Sequence, residues 1–244
     1  MHKLFNLLFL IFFGLGLISC NKDEDNTDNQ NPDITLMDAD GNVYETITLG
    51  NQVWMAENLK TTTFNDGSSI TEYRHFMPNQ SPFDWFETSN PRELFQWAFT
   101  EDLNDIYPED LPIDFYGAHY NNEAIQSGKL DIDGWRLPTI QDFEELISFL
   151  VSEGHIGNEA TVLKTQTGWA IENGTDLYDF TVKPAGNTIN NGTPDFSELL
   201  ARLCTSNTNT TLNQRTVATF FNNGEISFEE IDIRNGFSIR YIKE

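Results

Sequence analysis

The chain has 244 residues and a formal net charge of −24, with 38 acidic side chains against 14 lysines and arginines. A surface with this charge is repelled by nucleic acid and by anionic lipid headgroups, so we expect no nucleic-acid partner and no membrane attachment through a basic patch. Aromatic residues make up 13% of the chain and include 19 phenylalanines, which is enough apolar material for the core of one domain.

The first 19 residues have the pattern of a targeting segment. Lys3 supplies a positive start, and residues 4–18 are almost unbroken apolar sequence. At about 1.5 Å per residue this run is too short to cross a hydrocarbon core of about 30 Å, so it predicts a signal peptide. It ends in Leu17-Ile18-Ser19-Cys20, which resembles the lipobox of bacterial lipoproteins, where the cysteine is acylated and becomes the new N-terminus. The alternative is an ordinary signal peptide followed by a chance cysteine.

The chain has only two cysteines, Cys20 and Cys204. Acylation of Cys20 would leave Cys204 without an intramolecular disulfide partner, so the stability of the fold has to come from its core. Cys204 ends an apolar run, which favours a buried, inert thiol over a nucleophile.

Residues 20–33 predict a flexible acidic tether, because residues 21–32 contain no apolar side chain except Pro32. Within it, Lys22-Asp23-Glu24 resembles a signal that sends some lipoproteins to the outer face of the outer membrane, although a plain solvated linker has the same composition. We therefore expect a protein anchored in the outer membrane by acyl chains on Cys20 and facing the cell exterior. Its folded domain is predicted to span residues 34–244.

The domain is predicted to open with strands at residues 34–38 and 43–49, joined by a turn that contains Asp40-Gly41. A second turn at Gly50-Asn51 leads into residues 52–59, where Trp54 and Leu59 are core candidates. Residues 38–41 and 131–134 are similar to the first half of a calcium loop. Neither has the downstream glutamate, so plain turns are favoured and no metal site is predicted.

Residues 76–114 form an irregular insertion rich in proline, aromatic rings and acids, with one helix predicted over residues 92–100. Its rings could contact a glycan or a protein, or they could cover the core. If there is a ligand-binding surface, we expect it to combine Trp85 and Trp97 with loops near Asn207, Arg215 and Asn222, because irregular loops vary without cost to the fold.

The strongest amphipathic helix is predicted over residues 139–153. Apolar residues recur there at helical spacing. Thr139 is a good N-cap that can form a capping box with Asp142, and Gly154 is placed to end the helix. Trp135 precedes the helix as a predicted core anchor. Alternating segments at residues 203–207, 216–221, 226–231 and 237–242 predict strands, so the fold class is α+β with antiparallel strands and long loops.

Several motifs fall in the order of one known family. They are Asp40-Gly41-Asn42-Val43-Tyr44, Gly50-Asn51-Gln52-Val53-Trp54-Met55-Ala56-Glu57-Asn58-Leu59-Lys60, Tyr116-Gly117 with Tyr120-Asn121, Gly128-Lys129-Leu130, Gly134-Trp135-Arg136-Leu137-Pro138-Thr139 and Gly236-Phe237-Ser238-Ile239-Arg240. Together they resemble the Fibrobacter succinogenes major paralogous domain family. Family members are typically exported, and many are lipoproteins. The resemblance implies a C-type-lectin-like fold, similar also to formylglycine-generating enzymes, in which residues 236–243 pair with the opening strands near residues 34–49.

No catalytic set and no cofactor motif is evident in the sequence. The four histidines have no metal-ligand spacing, and formylglycine-generating enzymes need paired cysteines that the mature chain lacks. We therefore expect a non-enzymatic surface binding module for a glycan or protein. The alternatives are a structural component of a cell-surface assembly and a degenerate enzyme.

Overall fold

The computed structural model describes residues 36–74, 85–87, 89–98, 111–221 and 223–244. The predicted signal peptide, the tether with Cys20, most of the 76–114 insertion and Asn222 lie outside the described residues. Inside them, no helix is long and apolar enough to span a membrane.

Short strands dominate the described residues, and two helices interrupt them. The helices are α1 (Asn122–Gln126) and α2 (Ile140–Ser152). The strands are β1 (Leu36–Met37), β2 (Val43–Tyr44), β3 (Thr46–Leu49), β4 (Gln52–Met55), β5 (Thr71–Glu72), β6 (Leu94–Trp97), β7 (Ala118–Tyr120), β8 (Trp135–Arg136), β9 (Asn187–Thr188), β10 (Pro194–Asp195), β11 (Ala201–Asn209), β12 (Gln214–Phe220), β13 (Ile226–Asp232), β14 (Phe237–Ser238) and β15 (Ile242–Lys243).

In this part of the chain the strands form a seven-stranded sheet, a four-stranded sheet and two small ribbons. The large sheet has the order β13-β12-β11-β14-β7-β6-β5, and the smaller one the order β3-β4-β15-β8. Pairing is antiparallel except between β11 and β14 and between β5 and β6. The result is a strand-rich fold with one main helix, which agrees with the coarse α+β prediction.

Helix α2 has the boundaries that its capping residues predict. The Asp142 amide donates to Thr139 Oγ1 at 3.1 Å and the Thr139 amide donates to Asp142 Oδ2 at 2.7 Å, which completes a capping box. At the other end the amides of Gly154 and His155 donate to the carbonyls of Val151 and Leu150, both at 3.0 Å. This is a Schellman motif, and Gly154 enables it with a φ of +94°. The prediction of this helix is confirmed.

Two large clusters of buried side chains form the core. One contains Phe143 of α2 packed on Trp54, with ring centroids 5.0 Å apart. The other contains Trp135, which is 6% exposed, together with Tyr120 and Phe237. Trp54 and Trp135 are therefore core residues, as predicted.

Strand β15 joins the four-stranded sheet that contains β3 and β4, whereas β1 and β2 form a separate ribbon. Ile242 pairs with Trp54 on one side and with Arg136 on the other. The Met55 amide also donates to the Tyr241 carbonyl at 2.9 Å. The predicted pairing of residues 236–243 with residues 34–49 is therefore wrong in detail. The direct partners of β15 are β4 and β8, with β3 as the next strand beyond β4, while β14 pairs with β7 and β11 in the large sheet.

The helix predicted over residues 92–100 is wrong for the residues that can be described. Leu94–Trp97 is a strand that pairs with β5 in parallel and with β7 in antiparallel fashion. Leu94, Phe95 and Gln96 are all buried there. Tertiary pairing has overridden the local helical preference, since side chains buried on both faces fit an inner strand better than an exposed helix.

Candidate functional site

Trp85 is buried and is not available as a surface contact. Its side chain is 1% exposed, its indole N–H donates to the Arg234 carbonyl at 3.1 Å, and its ring lies 5.4 Å from that of Tyr73. A Cβ on Gly236 would approach the indole to 2.3 Å, so the glycine of that motif makes room for the ring. Of the two possibilities left open by the sequence, a ligand contact or a cover over the core, the burial of Trp85 favours the cover.

Trp97 is partly exposed and packs edge-on against Phe95, with ring centroids 5.2 Å apart.

Asn207 caps α2, since its side-chain oxygen accepts the Ile140 amide at 2.9 Å. Arg215 is 2% exposed and donates to the Thr205 carbonyl at 2.7 Å and to Asn122 Oδ1 at 3.1 Å. Asn207 and Arg215 therefore hold neighbouring elements together, which argues against their proposed role in ligand contact.

The structure instead shows an open groove of about 730 Å³ at the start of α2. It lies between α1, the turn before β8, and the N-terminus of α2. Its lining residues are Ile125, Gln126, Gly128, Asp131, Ile132, Asp133, Gly134, Trp135, Arg136, Leu137, Thr139, Ser206 and Glu244. We refer to this set as the motif groove, because the motif at residues 134–139 forms one of its walls.

The apolar part of the motif groove comes from side chains that also belong to the core. Trp135 and Ile125 are each 6% exposed, and Ile132 and Leu137 are partly exposed. Gln126 and Ser206 are exposed and add polar groups beside them. The surface of the groove is therefore mixed, since four apolar side chains are outnumbered by polar and charged ones in its lining.

The charged part of the motif groove is mainly acidic. Asp131, Asp133 and Glu244 are exposed along it. Partial burial of the Asp131 carboxyl group, together with the nearby Glu244, raises the pKa of Asp131. Arg136 is the cation in the lining, and its two terminal nitrogens donate to Asp142 at 2.7 and 2.8 Å. Because that pairing neutralises Arg136, the groove favours ligands that donate hydrogen bonds or carry positive charge.

Sequence reasoning missed the groove because its walls come from distant segments. Residues 125–139 meet Ser206 of β11 and the terminal Glu244 only after the sheets have formed. The sequence did contain one signal for the groove, the motif at residues 134–139. That motif is longer than a buried anchor at Trp135 and a helix cap at Thr139 would need on their own.

Other candidate sites have structural explanations. Asp38 Oδ1 accepts the amides of Asp40 and Asn42, both at 3.0 Å, so residues 38–42 form an Asx-type turn. Across the described ranges, no three histidine, cysteine or acidic side chains are grouped to hold a metal ion. Cys204 is fully buried, and burial raises the pKa of its thiol, as expected for an inert cysteine.

Comparison with known proteins identifies the family. No curated protein and no solved structure matches the chain. The family model described as the Fibrobacter succinogenes major domain matches residues 47–243, a range that begins within β3, ends with β15 and includes every residue of the motif groove except Glu244. The chain therefore belongs to the Fibrobacter succinogenes major domain family.

Proposed function

We propose that this protein is a non-catalytic binding module that contacts a glycan or a protein through the motif groove. Acyl chains on Cys20 hold it at the outer membrane, and the domain faces the cell exterior. The observation that carries the binding role is the groove itself, whose volume of about 730 Å³ falls in the range of ligand sites. The anchor and the location rest on the lipobox-like sequence at residues 17–20 and on the polar tether after it.

We further propose that the domain is C-type-lectin-like. Support comes from the way the chain closes, since β15 near the C-terminus lies beside β4 in the same sheet as β3. A domain closed in this way leaves its loops and helix ends free to vary, and the motif groove is built from such segments.

The experiment fills the groove without touching the core. Ser206→Trp places an indole in the groove, and Thr208→Trp on the same strand is the matched control, because both residues are exposed and only Ser206 lines the groove. The full-length chain in detergent is applied to an array of glycans and basic peptides. Binding by wild type and Thr208→Trp but not by Ser206→Trp is expected. Equal signals for all three proteins, or no signal on either kind of probe, would overturn the proposal.

The anchor has a separate test, because it can fail while the binding role stands. Cys20→Ser should release the protein from membranes and abolish acyl labelling in cells. Cys204→Ser is the control and should keep both, because Cys204 is buried and takes no part in the lipobox-like pattern. A Cys20→Ser protein that is still labelled and membrane-bound would contradict the lipid anchor.

A further inference from the structure

A second, smaller cavity is lined by Lys183 and shares no lining residue with the motif groove. Its volume is about 150 Å³. Its lining residues are Glu57, Asn58, Lys60, Pro112, Asp114, Phe115, Tyr116, Gly117 and Lys183. At about 30 Å³ for a water molecule in the liquid, the space suits a compound of a few heavy atoms.

The Lys183 side chain is half-buried and is held by neutral groups. Its Nζ donates to the Phe115 carbonyl at 2.9 Å and lies 4.1 Å from the centroid of the Phe115 ring. Among the residues that can be described, no carboxylate lies within 4.0 Å of this nitrogen, whereas Lys60 is paired with Asp114 at 3.0 Å. The Lys183 amine therefore has hydrogen-bonding capacity left for a molecule in the cavity.

Burial and nearby positive charge disfavour the protonated form of Lys183. Burial is the largest effect and the neighbouring Arg240 guanidinium is the next, and together with Lys60 they lower the pKa of Lys183 to about 8 against the opposing effect of Glu57 and Asp114. Arg240 is itself 1% exposed and fixed by Asn58, whose Oδ1 accepts from its Nε at 2.7 Å. About one amine in ten is then neutral at pH 7, compared with fewer than one in a thousand for an ordinary lysine.

We propose that Lys183 is a carbonyl-capture site, where its amine forms an imine with a small aldehyde of two or three carbons that enters this cavity. The nitrogen lone pair attacks the carbonyl carbon, the π electrons move to oxygen, and a proton passes from nitrogen to that oxygen to give a carbinolamine. The carbinolamine loses its hydroxyl with one proton as water, which leaves the imine. An amine and an aldehyde thus become an imine and water, with no oxidant or reductant.

Lys164 provides a comparison inside the same chain. It is fully buried, and burial lowers its pKa as well. Its Nζ, however, donates to the carbonyls of Glu172 and Phe221 at 3.0 and 3.1 Å, and it does not line the cavity. If the cavity decides reactivity, Lys183 should react and Lys164 should not.

The test treats the full-length chain with glycolaldehyde and sodium cyanoborohydride, which reduces each imine to a stable amine, and maps the labelled lysines by mass spectrometry. Lys183 should be labelled about tenfold faster at pH 7 than Lys129, whose pKa is raised by its hydrogen bond with Glu93, because the larger neutral fraction outweighs a lower intrinsic nucleophilicity. Lys164 should be labelled no faster than Lys129. Labelling of Lys183 at the rate of Lys129 or of Lys164 would overturn the proposal.

Two variants test whether labelling depends on Lys183 and on its pKa. Lys183→Arg keeps the charge and should remove the adduct from this peptide while the thermal melt stays unchanged. Glu57→Gln removes a carboxylate that raises the Lys183 pKa, so it should speed labelling at pH 7 and shift the midpoint of the rate against pH downward. An unchanged rate in Glu57→Gln would show that Lys183 reacts merely as an exposed lysine and would contradict the proposal.

Discussion

At the scale of single residues, Asp142 joins the motif at residues 134–139 to α2. Its carboxylate accepts from the Thr139 amide and hydroxyl, both at 2.7 Å, and from both terminal nitrogens of Arg136. Burial opposes its ionisation, but the hydrogen bonds from Arg136 and Thr139 outweigh burial and lower its pKa to about 2. The negative charge also lies in the first turn of the helix, where the macrodipole favours it.

Asp142→Asn should therefore lower the free energy of unfolding by about 2 kcal/mol at pH 7, which is the equivalent of the pKa shift. The folded-state pKa lies below the unfolded value, so this contribution is complete above about pH 4 and disappears as the pH falls toward 2. Urea melts of wild type and variant at pH 7 and pH 2 measure the difference. A difference that is the same at both pH values would contradict this role of Asp142.

The pKa of His119 is also lowered, but here the cause is burial. The side chain is 1% exposed, its Nδ1 lies 3.1 Å from Thr188 Oγ1, and burial lowers its pKa to about 3. The unfolded chain binds a proton at this side chain below about pH 6.5 and the folded chain does not, so stability falls as the pH drops from 6.5 toward 3.

His119→Gln should remove this part of the acid sensitivity. Wild type should lose about 1.4 kcal/mol more per pH unit than the variant between pH 6 and pH 4. Chemical melts at several pH values measure the two slopes, and parallel slopes would show that His119 is protonated without opening the fold.

At the scale of elements, the sequence predicted those elements whose signals lie within one short stretch of chain. Helix α2 follows from the spacing of its apolar residues and from Thr139, Asp142 and Gly154, all within one stretch of chain. Strand β6 could not be predicted in this way, because Leu94–Trp97 becomes a strand only through its partners β5 and β7. The motif groove could not be predicted either, because it also depends on tertiary contacts: its lining residue Ser206 lies far along the chain from Trp135.

Polar residues were the least predictable part of the candidate site. Asn207 and Arg215 have the chemistry of ligand contacts, yet one caps α2 and the other is buried between Thr205 and Asn122. A sequence does not show whether a polar side chain is satisfied inside the fold or free for a ligand, since that depends on groups brought close by the tertiary structure.

Trp135 connects β8, the core and the motif groove, so its removal tests the packing at this scale. Trp135→Ala should lower the free energy of unfolding by about 3–5 kcal/mol, because a nearly buried indole leaves a large cavity. Ile156→Ala is a suitable control, since Ile156 is 72% exposed and should change stability by less than about 0.5 kcal/mol. A loss below about 1 kcal/mol for Trp135→Ala in a chemical melt would place this ring outside the core.

The outer strand of the large sheet bears on the alternative of a structural assembly component. Strand β13 lies at one end of the sheet order and carries Glu229, Glu230 and Asp232. Charged side chains on an edge strand discourage pairing with a strand of another copy. Assembly through this edge is therefore disfavoured, whereas contact through the motif groove leaves the edge free.

At the scale of the whole molecule, the net charge of −24 and the acidic groove act in the same direction. A strongly negative protein is repelled by anionic surfaces and attracts cationic groups over a distance set by the ionic strength. Among protein ligands, basic segments should therefore bind faster at low salt than at high salt. The proposed acyl anchor supplies the membrane attachment that such a surface cannot supply by charge.

A binding titration shows whether the motif groove is the contact surface. The strongest glycan or peptide from the array is titrated against full-length wild type, Ser206→Trp and Thr208→Trp, with matching thermal melts to show that all three are folded. We expect the Kd to rise at least about tenfold for Ser206→Trp, a loss of about 1.4 kcal/mol or more, and to change less than about twofold for Thr208→Trp. Equal Kd values for the three folded proteins would contradict this role of the motif groove.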